Sequence, residues 1–254
     1  MITAKHQILV VGGGTAGITV AARLLRKGYL DVGIIEPSRT HYYQPLWTLV
    51  GAGQASASST ARPQSWVMPV QASWIKNTAA AIDPDNNTVT CADGASYEYD
   101  VLVVCPGIQP RGQVEAVVRR HPAHCPQVTP TATSTSTKHT MAHMRYPNVF
   151  SLGDAGSSPN SKTGAAIRKQ APVVVDNIDA FLKNQALRAK YDGYASCPIV
   201  TSSHAMPLAE FDYSLQMRPA FPLLDPTKPH RAYWYLKKYG LPWIYWNLML
   251  KGLA

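Results

Sequence analysis

With 254 residues the chain can bury a full hydrophobic core in one or two domains. A composition of 46% hydrophobic and 15% charged residues excludes a disordered chain, a collagen and a polytopic membrane protein. Lys and Arg (24) outnumber Asp and Glu (15), and the resulting charge of +9 points to an anionic partner: phospholipid, nucleic acid or an anionic cofactor. Four cysteines are too few for a disulfide scaffold and suit a reducing compartment or a catalytic thiol.

Taken in chain order, the apolar run Ile8–Val11 enters glycines at once, which reads as a buried first strand, not as a signal peptide. No Arg- and Ser-rich transit peptide is expected either. A helix over about residues 16–27 places Ile18, Ala21, Ala22 and Leu25 on one face, and Val32–Ile35 reads as a second strand. This is a βαβ opening. Residues 63–69 read as loop, and residues 74–99 as short antiparallel strands with turns at Pro84–Asn87 and Asp93–Gly94. Val101–Val104 has the continuous apolar pattern of a strand buried on both faces. Between residues 112 and 137 a Ser/Thr/Pro-rich stretch carries no apolar period and reads as a linker. A strand over 148–152 and a helix over about 162–183 follow, and the last forty residues are aromatic and basic.

The spacing Gly12-x-Gly14-x-x-Gly17 lies between the first strand and its helix, with Glu36 ending the next strand. Gly12 makes the tight turn, Gly14 lets the backbone approach a pyrophosphate, and Gly17 lets helix and strand pack closely. The amides of Thr15 and Ala16 point at phosphate from the positive helix end, and Glu36 accepts hydrogen bonds from a ribose diol. A second feature favours FAD over NAD. The strand 146–152 ends in Gly153–Asp154, whose carboxylate suits the ribityl hydroxyls of an extended flavin dinucleotide. The next helix opens among Gly164, Ala165 and Ala166, so its dipole stabilises negative charge on reduced flavin.

These segments resemble sulfide:quinone oxidoreductases of the mitochondrial type. The resemblance rests on Gly12–Gly17, Glu36–Ser38, His41–Gly53, Tyr146–Asp154, Ser161–Thr163, Lys190–Pro198 and Ala209–Tyr213, and covers about residues 1–111 and 138–254. It implies an α/β fold: a Rossmann-like FAD domain with helices on both faces of a parallel sheet plus a small β-meander, discontinuous in sequence. Residues 1–111 would form its first segment and 138–185 its second, with 186–254 carrying the redox cysteine and a membrane-anchoring end. It further implies FAD contacts at Thr15, Ala16, Glu36, Gln44, Ala79 (backbone), Gly107, Asp154 and the Gly164–Ile167 turn. The implied substrates are hydrogen sulfide and a ubiquinone-type quinone. The family carries a second nucleotide-like domain with the first redox cysteine where this chain has residues 112–137. The matched cysteine, Cys197, is expected to be the thiol beside the flavin.

Cys105, before Pro106–Gly107 at the sheet edge where open α/β sheets bind ligands, is a core residue or a substitute partner for Cys197. Cys91 and Cys125 are expected to be inert. Lys162 is placed by the resemblance beside the flavin edge, to balance charge or orient quinone. His121, His124, Cys125, His139 and His143 match no structural zinc spacing, and no metal is expected. The aromatic run 232–250 falls short of the ~20 apolar residues of a spanning helix. With Lys228, His230, Arg231, Lys237, Lys238 and Lys251 it reads as a monotopic foot on a respiratory membrane, mitochondrial inner or bacterial plasma. An aromatic helix closing the core is the other reading. Nucleic acid is not expected, the sulfane acceptor is unassigned, and a homo-oligomer is left open. Two alternatives to sulfide oxidation stand: a non-catalytic, membrane-associated FAD-binding remnant, and an NADH:quinone-type flavoenzyme, which the lack of a second GxGxxG disfavours.

Overall fold

A computed structural model describes residues 2–107, 136–200, 202, 204–214, 216, 217, 225 and 228–254. Most of the 112–137 linker expectation, including His121, His124 and Cys125, therefore lies outside the described residues. Strand β1 (Ile2–Val11) is central, flanked by parallel β2 (Val32–Ile35) and parallel β8 (Ser96–Val104). Two small strands, β3 (Thr40–Tyr42) and β4 (Ala61–Pro63), form a separate antiparallel pair. Strand β5 (Ser73–Ile75) adds to β2 in parallel, where an antiparallel strand was expected. Three residues are too few for periodicity to fix a direction.

Strand β8 is a fork. One edge pairs with β1 along its length, whereas the other is shared. Its first half pairs antiparallel with β7 (Thr88–Cys91), which in turn pairs with β6 (Ala79–Asp83). Its second half, Leu102–Val104, pairs in parallel with β9 (Val149–Ser151). The chain before residue 107 and the chain after residue 136 thus meet across one strand.

Side-chain alternation sorts the core into two layers. Ile8, Val10, Val101 and Val103 face helix α1 (Thr15–Arg26) and the long helix that follows β9. Leu9, Val11, Leu102 and Val104 face Ile82, Val89 and Cys91 of the meander. The second face, expected to carry helices, is closed by the meander. Helix α2 (Trp47–Gly51) and helix α3 (Gln64–Val67) lie in the β3–β4 region, α3 within residues expected as loop. Helix α4 (Gly164–Leu182) packs on α1, and the two are tied by Lys27 to Asp176 (2.8 Å) and by Tyr29, whose hydroxyl donates to Asp179 (2.6 Å). Strands β10 (Ala195–Pro198) and β11 (Leu208–Phe211) form a hairpin. The chain continues through α5 (Arg231–Tyr235), a π-helical turn at Leu236–Gly240, and α6 (Leu241–Asn247), and Met249 and Leu250 are buried beyond it. No helix among the described residues is long and apolar enough to cross a membrane.

Candidate cofactor and thiol site

The glycine turn is built for close backbone approach. Gly12 has φ +107°, and a Cβ there would stand 2.6 Å from the Cys105 carbonyl oxygen. At Gly17 a Cβ would lie 1.8 Å from the Gly12 oxygen, so only glycine lets α1 start this close to β1. Gly14, at the N-cap of α1, has no atom within 4 Å of its Cβ position: the turn is open on that side. Gly13, not singled out from the sequence, is equally constrained. Its Cβ position is 2.6 Å from the Glu36 side chain, and its amide donates to Glu36 Oε2 at 2.6 Å. Ser38 N donates to Glu36 Oε1 at 2.7 Å, so both carboxylate oxygens of this buried acid are aimed. Beside it Pro37, Arg39, Ser65, Trp74 and Lys76 line a cavity of about 410 Å³, and the Trp74 indole donates to the Glu36 carbonyl at 2.8 Å.

The second segment comes alongside. Asp154 lies in a short 3₁₀ turn, and its Oδ2 is 3.9 Å from a Cβ position on Gly107. Gly153 (φ +67°) holds that turn: its amide donates at 3.0 Å to the fully buried Gln170, and its Cβ position is 3.5 Å from Ala16. Helix α4 is capped by Thr163, whose hydroxyl accepts from Ala166 N at 3.2 Å, and Gly164 abuts Pro45, next to exposed Gln44. The Ile167 side chain lies 3.6 Å from the Gly153 Cβ position, and Ala79 begins β6. The Lys162 ammonium donates to the carbonyls of Gly156 and Ser158, at 2.5 and 2.8 Å, and burial lowers its pKa. Its head is spent on loop 156–158.

The cysteines have separate roles. Cys105 is buried beneath the glycine turn, its thiol donating to the Gly12 carbonyl at 3.6 Å. Burial, reinforced by the Glu36 charge, pushes this thiol far up, so it is held neutral. Burial likewise pushes Cys91 up to about 11. Cys197 is exposed on β10, opposite Ala209, and a thiol needs such access to react. Next to it Tyr194 donates to buried Glu210, and burial with that carboxylate raises the phenol to about 12.

The C-terminal run divides between inside and outside. Lys237, counted from sequence among the lipid-facing cations, is buried in the neighbourhood of Cys197, and burial lowers its pKa. Tyr233, Trp234 and Tyr245 are also buried, whereas Tyr235, Tyr239 and Trp243 are exposed. Lys238 sits over the Trp234 and Tyr239 rings. His139 and His143 pack against Tyr213 and Tyr146, and no metal-ligand cluster occurs among the described residues.

The pyridine nucleotide-disulphide oxidoreductase profile matches residues 6–119. The chain is 26% identical to mouse mitochondrial sulfide:quinone oxidoreductase over 98% of its own length and 88% of the relative's. Along its length the chain is similar to the mitochondrial sulfide:quinone oxidoreductases. That alignment spans 396 positions, so well over a hundred positions of the mouse sulfide:quinone oxidoreductase face no residue of the 254 here. The sulfide:quinone oxidoreductase of Aquifex aeolicus has the same fold, with a TM-score of 0.70 at 16% identity, covering 97% of this chain and 92% of that one. A chain in the mitochondrial ATP synthase of Tetrahymena thermophila shares it with a TM-score of 0.80 at 12% identity, covering 99% of this chain and 97% of that one. Sulfide:quinone oxidoreductases use FAD, with a quinone as electron acceptor.

Proposed function

We propose that this chain is a flavoprotein of the sulfide:quinone oxidoreductase type, binding FAD along the line from Glu36 to Asp154 and handling sulfide at Cys197. The observation that carries the reading is the open cradle at Gly14 beside a doubly held Glu36, on a chain matched along its length by the mouse enzyme. FAD, when bound, supplies a two-electron acceptor that a quinone can reoxidise. The chain's own residues bind and orient. The amides of Thr15 and Ala16, at the positive end of α1, face the pyrophosphate. The Gly13 and Ser38 amides hold Glu36 turned to a ribose diol, and the cavity at Trp74 and Lys76 takes the adenosine end. Asp154 binds ribityl hydroxyls, and α4 directs its N-terminus at the ring system. Cys197 presents the thiol that carries sulfur, with Lys237 holding positive charge beside it. The exposed faces of α5 and α6 meet a respiratory membrane as a monotopic foot, with Tyr235, Tyr239 and Trp243 at headgroup level and Lys238 on anionic lipid.

A second reading is a non-catalytic FAD-binding component of a mitochondrial membrane assembly. The likeness to a chain of the Tetrahymena ATP synthase favours it, as does the deep burial of Cys105, which leaves Cys197 without that thiol as a partner. Anaerobic titration of the detergent-solubilised protein with sulfide, following the oxidised flavin band, decides between them. Bleaching supports sulfide oxidation. A bound flavin that ignores sulfide supports the second reading.

A further inference from the structure

The C-terminal helix reaches into the glycine turn. Tyr245 on α6 is buried, with its ring 4.5 Å from that of Tyr43 and its hydroxyl 2.8 Å from Thr15 Oγ1 and 2.5 Å from His41 Nε2. The His41 ring also meets the Gln64 side chain and the Gly13 backbone, and Gln64 Nε2 donates to the Gly13 carbonyl at 2.8 Å. Gly13 in turn holds Glu36. Burial disfavours the charged form of His41, and in the tautomer whose Nε2 accepts from the Tyr245 hydroxyl the Tyr245 oxygen is left to accept from Thr15. One continuous buried chain of hydrogen bonds therefore runs from α6 through both ends of the phosphate turn to the ribose-binding acid.

We propose that Tyr245 is a positioning residue for the dinucleotide turn: its hydroxyl fixes Thr15 at the start of α1, so that docking of the C-terminal helix and retention of FAD are linked. This rests on the FAD reading above. The physical reason is that Thr15 is the first residue of α1, where amides lack intrahelical partners and their aim depends on how the first turn is held. The only polar atom that Tyr245 contributes to that turn is its hydroxyl. By linkage, a cofactor that needs the turn ordered must also hold α6 in place.

The test uses the whole apoprotein, FAD as the probe, and the variants Tyr245→Phe, Thr15→Val, Thr15→Ser and Tyr245→Phe with Thr15→Val. Flavin fluorescence gives the FAD dissociation constant, and deuterium exchange reports on residues 241–251. Tyr245→Phe keeps the ring packing and loses one hydroxyl, and affinity is expected to fall roughly three- to tenfold. Thr15→Val falls by the same factor, the double variant falls no further, and Thr15→Ser retains wild-type affinity. FAD slows exchange in 241–251 of the wild type and does so less in Tyr245→Phe. An unchanged dissociation constant in Tyr245→Phe with a lowered melting temperature would overturn the proposal, leaving Tyr245 a packing residue. Additive losses in the double variant would overturn it too. Should Tyr245→Phe not fold, equal affinities for Thr15→Val and Thr15→Ser refute it alone. A wild-type protein that takes up no FAD refutes the cofactor reading first, and the relay with it.

Discussion

Replacing Gly14 by alanine separates fold from cofactor binding. The new Cβ meets no protein atom within 4 Å, and φ −75° with ψ −165° at this N-cap is ordinary backbone for any residue. Alanine is a poorer N-cap than glycine, yet it restricts the unfolded chain by about 0.4–1 kcal/mol. The two effects offset, and the apoprotein's stability should stay within about 0.5 kcal/mol of wild type. If a pyrophosphate lies against this turn, the same methyl stands in its path. An overpacked contact of about 1–3 kcal/mol weakens FAD roughly five- to 150-fold. Gly17→Ala is the contrasting control. Its methyl would sit 1.8 Å from the Gly12 oxygen, and the strand–helix junction must open at a cost above about 4 kcal/mol, which destabilises apoprotein and holoprotein alike. Chemical denaturation of the apoprotein and FAD fluorescence titration together read both variants. Wild-type FAD affinity in a folded Gly14→Ala protein would show that no phosphate approaches the turn.

Three further outcomes follow from the same geometry. Cys197→Ser should abolish sulfide-driven flavin bleaching with a stability change within about 0.5 kcal/mol, and peptide mapping after brief maleimide treatment should find Cys197 modified and Cys91 and Cys105 protected; equal labelling of all three contradicts their burial. Burial depresses the pKa of His41, and burial with the nearby Arg145 depresses that of His143, so the unfolded chain binds these protons at higher pH than the native one. Stability is then fully present above about pH 6.5 and declines as the pH falls below it, by up to about 1.4 kcal/mol per unit for each ring; a flat denaturation midpoint from pH 7 to 5.5 would count against it. Lys238→Glu should weaken binding to anionic vesicles roughly fivefold at low salt, and Trp243→Ala should weaken it at every salt concentration, as sedimentation with vesicles would show; wild-type protein that stays in the supernatant removes the membrane foot.

The sequence was most legible where a requirement is local. Gly12 and Gly17 report a backbone approach that no other residue tolerates, and Val32–Ile35 and Val101–Val104 are apolar throughout because both sheet faces are covered. Long-range pairings left no such mark. Thr15 and Tyr245 are 230 positions apart, and nothing around either announces the other. Gln64 sits between prolines that argue for loop, although its side chain does the work of holding Gly13. The aromatic tail was ambiguous for a physical reason: tyrosine and tryptophan suit both a membrane interface and a core with hydrogen-bond partners, and here one face is buried and the other exposed. Lys237 was read with its basic neighbours, because charge in sequence says nothing about which of two adjacent lysines turns inward.

The forked strand β8 has a topological consequence. Because β9 zips onto the half of β8 that β7 leaves bare, the chain departs from the sheet and rejoins it on adjacent strands. Whatever joins them is bridging neighbours, and the entropy of closing such a bridge grows only with the logarithm of its length, by about 0.6 kcal/mol per doubling. A whole domain can be spliced in or cut out there with little change to the closure of the sheet. That junction is the natural port for grafting a foreign domain onto this module.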